Sequence, residues 1–484
     1  MKIKLFFSIF ILSFLLFSCD NNDDKLVINL DSYKSQEINV EGKLIKFRAF
    51  ENIVYVKHPV DSSFQKMNIY IPEEYFNNQT IDGFNSESAP IFFPNQIGGY
   101  MPSKPGKAII NTKPDSITTI AYALSKGYVV ASAGARGRTQ PQGRGTAMLL
   151  DQKSAIRFLK FNDKVIPGNA NKIIANGTSA GGAIATLLGA TGNSTDFQDD
   201  LDVLGAARTS DNIFAVSAYC PITNLDHADA AYEWQFHDIN AFDKLNITVV
   251  NGVVNRNIIK GNLTAYQKSI SYQLKQLFPP YLNALRLKNK NGSFYKLDKN
   301  GEGDFKDYIK ILLVISAETA KKEGIDMSKY DFLVYSEGKI IDIDFHKYLK
   351  YLKREKTPPA FDALDLSAPE NELFGNNAVE RKHFTPFSFY KTEIPSVLAD
   401  PATIKQLNPM NYIGKTGANN ANFWRIRHGT KDKETSLAIS AILALSLEKY
   451  GHNVNYYLPW DKPHGGDYDL PELFDWIKAI SNEN

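Results

Sequence analysis

Lys172-Ile173-Ile174-Ala175-Asn176-Gly177-Thr178-Ser179-Ala180-Gly181-Gly182 decides the fold. A short apolar run stops at a glycine-flanked serine and small residues follow, so the stretch reads as strand, sharp turn, helix. A serine at such a turn holds a strained backbone that lifts its hydroxyl above the sheet, and the turn closes only if the residues two before and two after lack bulk. Gly177 and Gly181 meet that demand. Gly182, Ala183, Ala185, Gly189 and Ala190 let the helix pack close against the strand, and Gly192-Asn193 offers it a left-handed stop. This context marks Ser179 as a nucleophile rather than an idle residue in a glycine-rich turn.

Outward from the serine the chain alternates. Upstream, Asp115-Ser116 is predicted to cap a helix through Leu124, Gly127 to Ala133 to form a buried strand, and Asp151 to Phe161 a helix with Ala155, Phe158 and Leu159 on one face. Ile213 to Tyr219 reads as the next buried strand, and its continuation Cys220 to Asp226 opens at the same rim as Ser179. Strands alternating with helices imply a parallel sheet covered on both faces. Earlier still, Ile38-Asn39-Val40 and Lys43 to Phe47 flank a Glu41-Gly42 turn as a hairpin, and Gln65 to Ile71 reads as a half-buried edge strand with Met67, Ile69 and Ile71 inward. After the apolar run Ala89 to Pro94 comes Gly98-Gly99, where this architecture places an oxyanion donor; Gly99 and the N–H of Ala180 are the candidates.

From about Ala228 to Ala399 the alternation is lost. Helical patterns at Ala265 to Leu285, Phe305 to Lys321 and Phe345 to Arg354 belong to an inserted lid, because α/β units resume with strands at Phe423 to Arg427 and Val454 to Leu458, a helix from Thr435 to Tyr450, and a last helix capped at Asp469-Leu470-Pro471-Glu472. The fold class is α/β, an α/β-hydrolase sheet with a large insertion. Its expected divisions are a core over 31–225, a lid over 226–402 and a second core part over 403–484.

The chain opens on a charged head and the apolar run Leu5 to Phe17, too short to span a bilayer, which predicts a signal peptide over residues 1–18. Leu16-Phe17-Ser18-Cys19 resembles the lipobox of bacterial lipoproteins, so Cys19 is expected to be acylated, with the polar run Asp20 to Asp24 as a solvated tether in a division over 19–30, and an extracytoplasmic protein held at the membrane by lipid alone. A net charge of +2 argues against a nucleic-acid partner. Cys220 then has no intrachain disulfide partner, and no CxxC or paired-histidine spacing calls for a metal or other cofactor.

In this architecture nucleophile, acid and histidine follow one another along the chain. His58 precedes the serine; His227, His237, His346 and His383 precede the returning α/β units. His428 leaves no later strand end for an acid except inside the lid, and His452 sits at the opposite rim, just before a strand. His464 follows the last strand and is the expected base. The loop after the preceding strand, His428-Gly429-Thr430-Lys431-Asp432, supplies Asp432 as the acid.

Several stretches together resemble the bacterial tannases: Pro94 to Tyr100, Ala133 to Thr139, Asn176 to Gly182, Ala218 to Ile222, Tyr232 to Phe236, Pro359 to Asp362, Pro369 to Gly375, Trp424 to Gly429 and Leu458 to Leu470. The resemblance covers essentially the whole chain after the signal. It implies hydrolysis of galloyl esters by Ser179, Asp432 and His464 with an oxyanion hole at Gly99 and Ala180. It also implies that Lys356, Glu370 and Glu434 hold the three ring hydroxyls, and that Ile222 and Pro369 sandwich the ring. The family usually has aspartate where Glu434 stands, so the contact here carries one more methylene. Thr178 distinguishes the chain from the fungal tannases and feruloyl esterases, which have cysteine before the serine. The alternatives are a broader phenolic or simple carboxylesterase with the same triad, and a non-catalytic surface lipoprotein that captures polyphenols.

Overall fold

The computed structural model describes residues 23–109, 117–250, 253–289 and 291–482. The signal segment, Cys19, the start of the tether and the expected cap Asp115-Ser116 lie outside them. Strands in chain order are β1 (Lys34–Val40), β2 (Lys43–Val54), β3 (Lys66–Pro72), β4 (Pro90–Pro94), β5 (Val129–Ala133), β6 (Asn169–Thr178), β7 (Ala215–Tyr219), β8 (Ala241–Val250), β9 (Val253–Asn262), β10 (Leu333–Ser336), β11 (Lys339–Ile343), β12 (Phe423–Arg427) and β13 (Asn453–Tyr457). Nine of them form one sheet in the order β1-β2-β3-β5-β4-β6-β7-β12-β13. The first three are antiparallel and the block from β5 to β13 is parallel.

Four of the parallel strands reach one level. Thr178 pairs with Tyr219, Tyr219 with Arg427 and Arg427 with Tyr457, so the residues that follow all emerge at a single rim. This is the carboxyl edge at which open α/β sheets bind ligands. β4, β5 and β7 are buried at every position, as strands covered on both faces must be.

The expected hairpin is present, with Glu41 and Gly42 both at positive φ. β3 departs from its half-buried reading: it is an interior strand between β2 and β5, and Asn68 and Tyr70, which meet the loop at Gly106, are as buried as Met67 and Ile69. Asn68 is satisfied there by donating to Gly106 O at 3.0 Å. The helix predicted from Asp151 begins at Ala147, because Asp151 is no helix start; its buried carboxylate accepts from Arg136 Nη2 at 2.8 Å and Gln65 Nε2 at 2.8 Å. Thr118 caps the helix Thr119–Ser125, accepting from the N–H of Ala121. Beyond the helix Ala180–Ala190, Asn193 takes the left-handed conformation, while Gly192 lies where a Cβ would strike Asn419 O at 2.5 Å.

Between β7 and β12 the chain forms the helices Ala265–Leu285, Asp304–Lys322 and Phe345–Leu352, close to the expected helical stretches, and Leu225–Phe236, which was not expected. It also forms two antiparallel hairpins, β8-β9 and β10-β11, that the sequence reading lacked.

Candidate active site

Ser179 sits between β6 and the helix Ala180–Ala190 with φ 60° and ψ −123°, the strained turn that its glycine flanks anticipated. A Cβ on Gly177 would lie 2.2 Å from Gly181 O, and one on Gly181 would lie 2.4 Å from Asn95 Oδ1, so both glycines are sterically required. The Ser179 N–H donates to Tyr219 O at 3.0 Å and its carbonyl accepts from Ile222 at 3.2 Å, which pins the elbow to the end of β7.

Asp432 and His464 reach the same rim from β12 and β13. His464 Nδ1 lies 2.7 Å from Asp432 Oδ2, while Oδ1 accepts the backbone N–H of Glu434 at 2.9 Å. The two loops are fastened together by Thr430 N–H to Pro459 O at 3.0 Å and Asp461 N–H to Thr430 Oγ1 at 2.7 Å. Burial opposes ionisation of Asp432, yet His464 and His428 beside it hold its carboxyl well below the usual carboxylate range. Burial disfavours the imidazolium, but the Asp432 carboxylate overrides it and raises His464 well above the ordinary histidine value. An ionised acid locked on Nδ1 leaves Nε2 as the nitrogen that faces the site.

Sequence order had set His428 aside as the base. It lies instead behind the acid: Nε2 is 3.3 Å from Asp432 Oδ2 and Nδ1 is 2.8 Å from Ser440 Oγ, all fully buried. Cys220 was missed as a neighbour of the base; its Sγ lies 4.0 Å from His464 Nε2. Its position after β7 was legible, but the direction of the side chain was not.

The oxyanion candidates flank the elbow. Ala180 is the first residue of its helix, so its N–H has no acceptor within the helix. Gly99, at φ 54°, lies in the loop after β4, and its carbonyl accepts from Arg138 Nε at 2.7 Å. Asn95 ties this loop to the elbow, donating to Gly181 O at 2.9 Å and accepting from the N–H of Ile97 at 3.2 Å.

The base-bearing loop is fixed to the sheet as well. Asp467 accepts from Asn176 Nδ2 at 3.0 Å and Thr119 Oγ1 at 2.7 Å. Asp469, expected as a helix cap, makes no capping bond; it binds Arg425 Nη2 at 2.5 Å and accepts from Tyr219 Oη at 2.5 Å.

Residues 108–259 match the BD-FAE family model, and no curated protein matches the sequence. Among solved structures, the tannase of Lactobacillus plantarum shares 42% identity at a TM-score of 0.91, over 94% of this chain and 100% of that one. Fusobacterium nucleatum tannase shares 48% at a TM-score of 0.90, over 94% and 99%. The chain belongs to the bacterial tannases. A tannin acyl hydrolase solved with ethyl gallate is 42% identical at a TM-score of 0.90, over 95% of this chain and 100% of that one. The protein is accordingly an α/β-hydrolase-type esterase with tannase-like activity.

In this tannase the segment between β7 and β12 supplies the far wall. Arg354, fully buried, pairs with Glu233 at 2.5 Å and donates to Lys356 O at 2.8 Å. The Tyr232 hydroxyl accepts the N–H groups of Glu355 and Lys356, both at 3.1 Å. Lys356 Nζ then lies 3.9 Å over the ring of Phe361. Glu370, at the start of the helix Pro369–Leu373, is buried; burial raises its carboxyl, with Lys356 and Arg138 pulling it down and Glu434 adding to the rise. These charges therefore act on one another. Glu434 Oε2 lies 3.7 Å from His464 Nε2. Ile222 is buried beside the elbow and Pro369 is exposed. Glu355 is pushed up to about 7 by burial and by Glu434.

The same segment also grips the catalytic loops. The hydroxyls of Tyr348 and Ser316 donate to the carbonyls of Thr430 and Leu458, and Tyr351 donates to Asp461 Oδ1 at 2.6 Å.

Proposed function

We propose that the protein hydrolyses galloyl esters through an acyl-enzyme on Ser179. The observation that carries this reading is the 2.7 Å contact of His464 Nδ1 with a buried, ionised Asp432 at the rim where the Ser179 elbow also emerges. His464 Nε2 takes the Ser179 proton as Oγ attacks the ester carbonyl, and the N–H groups of Ala180 and Gly99 receive the developing oxyanion. The proton passes to the leaving alcohol as the ester C–O bond breaks. Water then attacks the acyl-enzyme by the same route, releasing the acid and restoring Ser179.

Three adjacent ring hydroxyls both donate and accept hydrogen bonds, and the wall offers acceptors at Glu370 and Glu434 and a donor at Lys356. Ile222 and Pro369 would close on the ring faces. The ethyl gallate complex of the tannin acyl hydrolase supports this substrate class. Purified protein should release gallate from methyl gallate, and Ser179→Ala should abolish that release. Equal activity in the variant would sink the assignment.

We further propose that Cys19 carries the membrane anchor. The lipobox supports this, and among the described residues no helix is long and apolar enough to cross a membrane.

A further inference from the structure

The N-terminal segment joins the body at the end far from the site. Asn162, which closes the helix Ala147–Phe161, donates to the carbonyl of Leu26 at 2.9 Å and accepts the N–H of Ile28 at 2.9 Å, and Leu26 is buried. That helix starts at the catalytic rim, where the Gly145 N–H just before it donates at 2.7 Å to the carbonyl of Leu373, in the wall that carries Glu370. It runs back against the parallel strands, so its 15 residues set Asn162 ~22 Å below the rim. β6 then climbs from Asn169 to the Ser179 elbow. Cys19 stands four residues before the short helix Asp23–Leu26, so even fully drawn out the chain holds Cys19 within ~20 Å of Leu26. To turn the mouth toward a bilayer, that tether would have to cover the ~22 Å of the helix and the insertion above the rim as well. It is too short.

We propose that the edge of the sheet opposite Ser179, around Asn162, lies on the membrane, and that the catalytic mouth opens away from it. The proposal rests on Cys19 carrying the anchor. Lys25, Val27, Lys164 and Val165 are exposed around the clamp, and the Val165 N–H donates to Asn162 O at 2.9 Å. The lysines suit anionic headgroups and the valines the lipid boundary, while neighbouring Asp163 is occupied by the N–H of Ala170 at 2.7 Å. This orientation restricts the substrate. An alkyl gallate whose chain is buried in lipid keeps its ring at the headgroups, a helix length below the site, so the enzyme works on galloyl esters dissolved in the surrounding water.

The test reconstitutes the acylated protein into phosphatidylethanolamine–phosphatidylglycerol vesicles with a fluorophore on Val165→Cys or on Met101→Cys. Val165 is 44% exposed and Met101, in the loop after β4, is 40% exposed, while Cys220 is buried and escapes labelling. Nitroxide-headgroup lipids should quench the Val165→Cys label and spare the Met101→Cys label. Equal quenching, or stronger quenching of Met101→Cys, would overturn the orientation; protein that does not float with the vesicles would overturn the anchor and the proposal with it. A Gly-Ser linker of about 20 residues inserted after Asp20 adds ~25 Å of mean reach. It should raise hydrolysis of vesicle-held dodecyl gallate severalfold and leave methyl gallate hydrolysis unchanged. Equal dodecyl gallate rates with both tethers would overturn the restriction on substrate.

Discussion

The Tyr232 hydroxyl donates to the carbonyl of Lys433 at 3.0 Å, and Lys433 stands between Asp432 and Glu434. Through its lone pairs the same oxygen accepts the N–H groups of Glu355 and Lys356. One buried atom thereby joins the acid loop to the wall that carries the lysine.

Removing that atom should loosen both sides. Tyr232→Phe leaves the Lys433 carbonyl and two N–H groups without a partner, each worth about 1 kcal/mol. We expect a lower melting temperature and a KM for methyl gallate that rises more than kcat falls. A variant with lowered kcat and unchanged KM would show that the link serves Asp432 alone.

Lys356→Ala and Glu370→Ala should discriminate between esters. A site built around hydroxyls can reject analogues lacking them by up to ~10⁴–10⁵ because its own polar groups are left unpaired. Both variants should lose far more kcat/KM on methyl gallate than on an unsubstituted benzoate ester, and Glu434→Asp should leave gallate hydrolysis intact or improve it. Equal losses on all esters would make these residues supports of the fold.

Activity requires neutral His464, and Asp432 holds that imidazole well above the ordinary value against the opposing effect of burial. kcat/KM should therefore climb with pH through an apparent pKa above ~6.5 and be lost below it. Asp432→Asn removes the anion, so the rate should fall by roughly 10⁴ and the acid limb should move to lower pH. An acid limb that stays in place would assign the titration to another group.

Glu355 gives a stability signature of opposite sense to that of the usual carboxylate. Its folded value of about 7 lies above the ~4.3 of an unfolded chain, so the folded protein binds the extra proton between them. This contribution is fully present below the unfolded value and disappears as pH rises through about 7. Melting temperatures from pH 5 to 8 should fall more steeply in the wild type than in Glu355→Gln; parallel curves would refute it.

Cys19→Ser should release the protein from the membrane fraction or leave it unprocessed. Membrane retention of correctly cleaved Cys19→Ser protein would count against acylation as the anchor.

What sequence could reveal follows the range of each interaction. Ser179 was legible because its glycines and helix are local, and the expected pairing of Asp432 with His464 is matched by a direct contact because strand order confines both to one rim. Asp469 misled because Asp-Leu-Pro-Glu is a local capping pattern, whereas its partners Arg425 and Tyr219 lie 44 and 250 residues away. Asn68 and Tyr70 alternate with apolar neighbours and so resembled an exposed face, but the loop at Gly106 meets both side chains there. β10 keeps only Leu333 buried, too little alternation for a strand to announce itself.

The hydroxyls of Tyr348, Ser316 and Tyr232 bond the backbone on either side of the acid and before the base. The insertion is consequently not an interchangeable module. A chimera that grafts another esterase's cover onto this sheet would receive a new binding surface but would strand the carbonyls of Thr430, Leu458 and Lys433 unless the graft brought its own donors. Substrate range in this scaffold should therefore shift more readily by changes within the insertion than by its exchange.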